Sequence, residues 1–418
     1  MSFLIRQITR ITNSQLTHSQ LRTITHSQFT QSLINMLQHL FKLIWNKKRH
    51  HTLLMVEIWI SFLVLFGVMS LISYNFKNYL EPIGFEYENV WALDLNKNQD
   101  TTAILGKLNT IYQKIESYPE VEVVSRMSNN SPFSFSTSNG NISYKKTSVH
   151  GDHYYTDEAF VQALEMKTIL GNWYKKAGVV DKFRPVVINK KTQEGLFGDA
   201  NPIGKIIGDN QKIVGVIENF KAKGEFDNNE PCIFILMDDK YDYDKVLIKV
   251  KAGTDANFEA KLTKDIGGIA KEWTTEVSYL TDQRHNQHNL ALVPVIIFMI
   301  IAVFLLVNVA MGLFGILNLN IAKRREEIGV RRAMGATAGN IKIQFVGEMW
   351  VIATFGMLIG ILFAIQFPLM NVFNLEASIY WMAITLSIVI LYGIVTLCAY
   401  HPSRQAAKIQ PAMALHEQ

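Results

Sequence analysis

The sequence predicts a membrane protein with four transmembrane helices and a large α+β domain outside the cytoplasm. Three observations predict it. Four apolar runs, 53–75, 289–317, 343–367 and 378–400, each reach the roughly 20 apolar residues that a bilayer core demands. A polar stretch of domain size, 76–288, separates the first two. The charge is unevenly spread: 76–288 holds 26 Lys and Arg against 30 Asp and Glu, a net of −4, while the remainder nets +9.

That basic excess lies at the ends of the spans, at Lys47, Lys48 and Arg49, between spans two and three, and at Arg404 and Lys408. The positive-inside rule places all three groups in the cytoplasm, which puts 76–288 and the short loop 368–377 on the other side. The overall pI of about 8.9 is therefore a topology signal and gives no ground for nucleic-acid binding. Cys232 falls in the external domain and Cys398 in span four, so the two are not expected to pair.

From the start of the chain, residues 1–35 are rich in Ser, Thr and Gln. They read as a disordered or amphipathic polar tail, or as sequence ahead of a true start at Met36. Residues 36–52 carry Leu37, Leu40, Phe41, Ile44 and Trp45 among basic neighbours, the pattern of an amphipathic helix on the inner membrane surface. In the external domain, 86–95 and 121–127 read as strands flanking a helix over 102–117. The same order returns at 245–251, 256–273 and 276–280. Two β-α-β halves bracketing the domain predict a split ferredoxin-like module. The intervening residues, about 130–240, read as an inserted β-rich lobe with strands at 185–189, 212–218 and 231–237. Residues 282–289 read as a short polar joint before span two.

Several residues invite chemistry. The segment 198–205 superficially suggests a phosphate loop, but its glycines are one residue too far apart and Ile206 stands where Ser or Thr would meet magnesium. A turn before a strand is the expectation, and no other glycine run qualifies. His150, Asp152 and His153, or His285 and His288, could ligate a metal. They lack third and fourth partners in the sequence, so solvated loop histidines are expected and no metal site is assigned. Glu57 and Glu348 are carboxylates inside spans one and three, close to their cytoplasmic ends. A structural role, snorkelling or pairing with Lys47 or Arg49 in the case of Glu57, is expected before a proton relay. Gly356 and Gly360 form a small-xxx-small face for close helix packing, within the subunit or between subunits.

The most informative segment is the elbow over 318–342, with 323–336 reading KRREEIGVRRAMGA. Glu326 and Glu327 precede Arg331 and Arg332 at helical spacing, and Gly335 is placed to stop the helix. A stiff charged helix on the cytoplasmic side reads as a docking element.

The elbow resembles the signature R-x-x-E-I-G-[IV]-R-[KR]-A-x-G-A of the permease family typified by MacB and FtsX. Residues 196–205 (LFGDANPIGK) with 213–216 (IVGV) are similar to a recurring segment of the MacB periplasmic core domain. Residues 402–415 (PSRQAAKIQPAMAL) resemble the family's terminal signature. The resemblance covers about residue 36 to the end. It implies an inner-membrane ABC permease whose large domain is periplasmic. It also implies a lever mechanism, in which a cytoplasmic ATPase pushes the coupling residues Glu326, Glu327, Ile328, Gly329, Arg331, Arg332, Ala333, Gly335 and Ala336. MacB carries a fused nucleotide-binding domain before its first span, and this sequence shows none. A separate ATPase subunit binding ATP and Mg is thus expected, with no catalytic residue or cofactor in this chain. A second permease chain, identical or related, completes the implied complex, with a periplasmic adaptor and an outer-membrane channel as further candidate partners. Export of antibiotics or peptides is the leading expectation. A lipoprotein-releasing permease and an FtsX-like regulator of a cell-wall hydrolase are the alternatives. An enzyme is disfavoured because no cytoplasmic segment could hold a catalytic domain. A secondary transporter is disfavoured because the spans offer few polar residues for a midplane site.

Overall fold

The computed structural model describes residues 48–175, 183–238 and 240–409. The tail 1–35, nearly all of the 36–52 amphipathic segment and the end of the terminal signature lie outside them. The chain divides into two compact units: residues 1–73 with 296–418, and Tyr74–Val295.

The unit Tyr74–Val295 is built on β1 (Val90–Asn96), α2 (Ile104–Glu116), β2 (Val121–Met127), β10 (Lys245–Val250), α5 (Ala256–Ile269) and β11 (Thr274–Tyr279). The helix preceding them is α1 (Lys48–Leu80). The strands lie in the order β11-β1-β10-β2, all neighbours antiparallel. This is the expected ferredoxin-like arrangement, divided by a long insertion between β2 and β10. β1 is apolar from Val90 to Leu93 and again at Leu95, interrupted by the half-buried Asp94, because both of its faces are covered. Trp91, Leu93 and Leu95 pack under the helices with Leu108, Ile111, Phe258 and Leu262, while Val90 and Ala92 face an aromatic cluster of Phe85, Phe133, Phe160, Phe220 and Phe234. Asp255 caps α5 by accepting hydrogen bonds from the backbone N–H groups of Asn257 and Phe258, at 3.1 and 3.4 Å.

The inserted lobe continues the same sheet through β4 (Thr147–Thr156), β9 (Cys232–Leu236), β6 (Arg184–Asn189), β8 (Gln211–Ile217) and β5 (Thr168–Gly171). β3 (Asn139–Tyr144) pairs with β4, and β7 (Ile206–Ile207) with β8. Among the described residues two short helices complete it, α3 (Phe160–Ala163) and α4 (Lys190–Phe197). The three strands expected here correspond to β6, β8 and β9. The β3–β4 hairpin and α4 are additional. β4 reads TSVHGDHYYT, too polar to announce a strand that joins both halves of the sheet. His150, Asp152 and His153 therefore lie on a strand, and His285 and His288 on a helix, correcting the expectation of loop histidines. The segment 198–205 forms the turn between α4 and β7, with Gly198 and Gly204 at φ +61° and +78°.

The other unit is helical. Among the described residues its spans belong to α1, α6 (Leu280–Lys323), α8 (Ala338–Ala364) and α10 (Ala377–Ala407), four helices long and apolar enough to cross a membrane. Short turns α9 (Gln366–Leu369) and a 3-10 turn (Val372–Asn374) join the last two. The core draws Ile58 and Phe62 from α1, Val309 and Leu313 from α6, Met349 and Ile352 from α8, and Leu391 and Val395 from α10. The polar joint expected at 282–289 is instead helical, because α6 starts directly after β11 and runs on for 44 residues. Asp282 in its first turn favours that start. At 1.5 Å per residue α6 is roughly 66 Å long, about twice the hydrocarbon thickness of a bilayer.

Candidate coupling site

Helix α6 ends at Lys323, and a short separate helix, α7 (Arg325–Ala333), follows at once. Arg324 forms the break, with φ −110° and ψ 19°. Acidic Glu326 and Glu327 fill the first turn of α7 and basic Arg331 and Arg332 the last, each sign where it complements the helix dipole. Gly335, at φ +94°, reverses the chain in a conformation that side chains disfavour. Thr337 then caps α8 by accepting from the Asn340 backbone N–H at 3.2 Å. The expected elbow helix is thus present, 9 residues long.

Two faces of α7 differ. Ile328 and Gly329 are buried, and Ile328 joins the core of the four-helix unit. Glu326, Glu327, Val330, Arg331, Ala333 and Met334 are exposed, Met334 at 76%. Arg331 donates to Glu327 at 2.5 Å and to Gln344 at 2.7 Å, so it stiffens the elbow within the chain. Arg332 is half-buried, and its Nε has no hydrogen-bond partner among the described residues. Gly335 is exposed and Ala336 half-buried at the turn.

The intramembrane carboxylates separate. Glu348 is buried and accepts from Arg324 Nη1 at 2.7 Å, so span three holds the break that starts α7. Gln344 donates to the same carboxylate oxygen at 3.4 Å. Glu57 is half-buried and points toward Gly312 of α6, with no ion-pair partner among the described residues. The side chains of Lys47 and Arg49 lie outside those residues. Gly356 and Gly360 pack within the subunit, against span one. A Cβ at Gly356 would lie 2.8 Å from Ile58, and one at Gly360 only 2.4 Å from the Phe62 ring. Arg324 and Gln344, which the sequence did not single out, are the residues that engage Glu348. A signal existed only for Gln344, which stands four residues before Glu348 on one helix face, while Arg324 lies 24 residues away.

Comparison with known proteins follows the same division of the chain. The MacB-like periplasmic core domain matches residues 53–265, just over half of the chain. The FtsX-like permease C-terminal domain matches 298–411. The chain belongs to the MacB-like, FtsX-type permease family. Among curated relatives, this permease is similar to the macrolide export ATP-binding/permease protein MacB of Neisseria meningitidis serogroup A. The two are 23% identical over 298 residues, which covers 67% of this chain and 45% of the relative. It is 28% identical over 190 residues to the uncharacterized ABC transporter permease YknZ of Bacillus subtilis, covering 42% of this chain and 46% of that one. The permease thus spans less than half the length of these relatives. Among solved structures, the periplasmic region of MacB from Actinobacillus actinomycetemcomitans matches 50% of this chain and 98% of its own, at 14% identity and a TM-score of 0.35. The extracellular domain of YknZ matches 44% and 99%, at 11% identity and a TM-score of 0.33. The permease is a multi-pass inner-membrane protein with a periplasmic α+β domain.

Proposed function

We propose that this permease is the membrane subunit of an ATP-driven exporter that works as a lever. A separate cytoplasmic ATPase, binding ATP and Mg, docks on the exposed face of α7. Closure of the ATPase pushes the elbow, and the movement travels along the long helices to the periplasmic domain. The cargo class is antibiotics or peptides taken from the periplasm, and two permease chains complete the complex. The observation that carries this reading is the construction of α7. It is a short, dipole-matched helix with one face fixed in the helical core by Ile328 and the other left exposed with charged and apolar side chains. A stop-transfer charge cluster needs neither the buried face nor the pinning of Arg324 to Glu348.

The test is replacement of Glu326, Glu327, Val330 and Met334 together by Ala. Membrane insertion should persist, while the ATPase that co-purifies with the tagged wild-type chain should be lost or reduced by about ten-fold, as expected when a few interface anchors are removed. Undiminished co-purification of that ATPase by the variant would refute the docking assignment.

A further inference from the structure

The loop between β8 and β9 is anchored to the ends of both α1 and α6. Lys221 is fully buried, and its ammonium donates to the Asn78 carbonyl at the end of α1, at 2.6 Å. The same ammonium lies 3.6 Å from the Glu81 carboxylate and 3.3 Å from the Glu225 carbonyl. Asn78 in turn donates its side-chain amide to the Phe226 carbonyl at 2.9 Å, and Tyr79 stacks on the Phe226 ring. From the other side, the first turns of α6 reach the same loop. Arg284 makes two contacts to Glu225 Oε1, at 2.6 Å through Nε and 2.5 Å through Nη2. His288 Nε2 lies 2.5 Å from Glu225 Oε2. The His288 ring also packs on Phe226 at 4.9 Å. Gln287 donates to the Phe133 carbonyl at 2.9 Å, and the Arg284 guanidinium sits 4.8 Å over the Tyr87 ring.

The loop that these contacts hold belongs to the inserted lobe. By chain connectivity, α6 is joined only to β11 of the ferredoxin-like half, and α1 leads only to β1 of that half. The inserted lobe has no covalent link to either helix except through the ferredoxin-like strands β2 and β10. A push on α6 passing through β11 alone would have to cross the four strands from β11 to β2 before reaching the lobe. The Glu225 carboxylate gives it a direct route. Charge-assisted, multiply bonded and mostly shielded from water, that contact is stiffer than an exposed surface pair.

We infer that the loop 219–230 is a clasp that makes the inserted lobe follow the ends of both α1 and α6, with Glu225 its positioning residue and Lys221 its second anchor. The clasp rests on the lever reading for its purpose, but its existence can be measured without that reading. The helix ends, the loop and the lobe move as one body while Glu225 is paired. Without that pairing, the ferredoxin-like half follows the helices and the lobe lags.

Hydrogen exchange on the full-length permease, purified with its ATPase into lipid nanodiscs, tests this. In Glu225→Ala, amides of 220–230 should exchange about ten-fold faster, the loss expected for a charge-assisted contact. Those of β10, α5 and β11 should be unchanged, and Glu225→Asp should recover most of the protection. Comparison of nucleotide-free and vanadate-trapped complexes supplies the coupling readout. The wild-type lobe should respond to nucleotide, and in Glu225→Ala that response should vanish while ATP hydrolysis continues. Lys221→Met should behave alike through the α1 side. If Glu225→Ala does not accumulate, Glu225→Gln removes the charge with the shape retained and carries the same comparison. Unchanged exchange in the loop of both Glu225 and Lys221 variants overturns the clasp, as does a nucleotide response of the lobe that survives in both. A wild-type complex with no response in either half overturns the lever alone, and the clasp then stands or falls on the exchange of 220–230.

Discussion

Arg324 occupies the one residue of non-helical backbone between α6 and α7, and its guanidinium is held by a carboxylate that sits one element further on. Glu348 is only 6% exposed at its side chain, so the pair exists in a setting where either charge alone is costly. Arg324→Ala should destabilise the helical unit by about 3 kcal/mol, because it leaves Glu348 buried and unpaired. The double variant Arg324→Met, Glu348→Met should regain most of that loss. Thermal unfolding in one fixed detergent measures both, and equal losses in single and double variants would contradict the account. In the periplasmic unit, Asp100 is the comparable residue. The Lys107 ammonium at 2.5 Å, the Thr102 backbone N–H and hydroxyl at 2.9 and 2.7 Å and the Trp273 indole N–H at 2.7 Å hold its carboxyl below the ordinary range. A depressed acid adds stability that is complete above its unfolded pKa of about 3.9 and is lost as pH falls toward the folded value. Acid unfolding of the domain below about pH 4 should therefore be shallower in Asp100→Asn than in the wild type. An unchanged acid limb would show that Asp100 is not among the controlling groups.

Among the elements, helix packing in the membrane unit depends on where glycine removes a side chain. Gly360 lets the Phe62 ring of α1 approach α8 so closely that a Cβ would sit 2.4 Å from the ring, whereas a Cβ at Gly393 of α10 would meet nothing within 4 Å. Gly360→Leu should separate spans one and three and lower the thermal midpoint of the detergent-solubilised permease by several degrees, on the order of an overpacked core substitution. Gly393→Ala should leave it unchanged. Equal midpoints for the two variants would remove Gly360 from the packing face. Spans three and four are joined differently, through the Trp350 indole donating to Thr396 at 2.9 Å and the Thr354 and Tyr392 hydroxyls at 2.7 Å. Such contacts are worth about 0.6 to 2 kcal/mol each in a membrane. The elbow helix α7 was legible because its charges obey helix rules by themselves. The 282–289 stretch was not, since polar residues next to an apolar span look the same whether they form a linker or the exposed start of a longer helix.

For the molecule as a whole, periodicity and charge disclosed the plan of the chain. Apolar length marked the four spans, the basic excess set the topology, and two repeated β-α-β patterns announced the ferredoxin-like halves, because each of these is a property of residues near one another in sequence. The inserted lobe was less legible, for β4 is joined to β9 and to β2 by long-range pairing that its own His, Ser, Asp and Thr residues do not advertise. Partners within one helix, Glu327 with Arg331 and Gln344 with Glu348, were legible from spacing, whereas the long-range partners were not. Sequence alone determined that a charged helix lies between spans two and three, and that two glycines in span three could admit a neighbour. Tertiary structure decided that Arg324 takes Glu348, that Gly356 and Gly360 receive span one, and that Glu225 joins a loop of the lobe to α6. The physical reason is range: helix rules and hydropathy act over a few residues, whereas an ion pair or a packed ring depends on which distant segments the folded chain brings within a few ångströms.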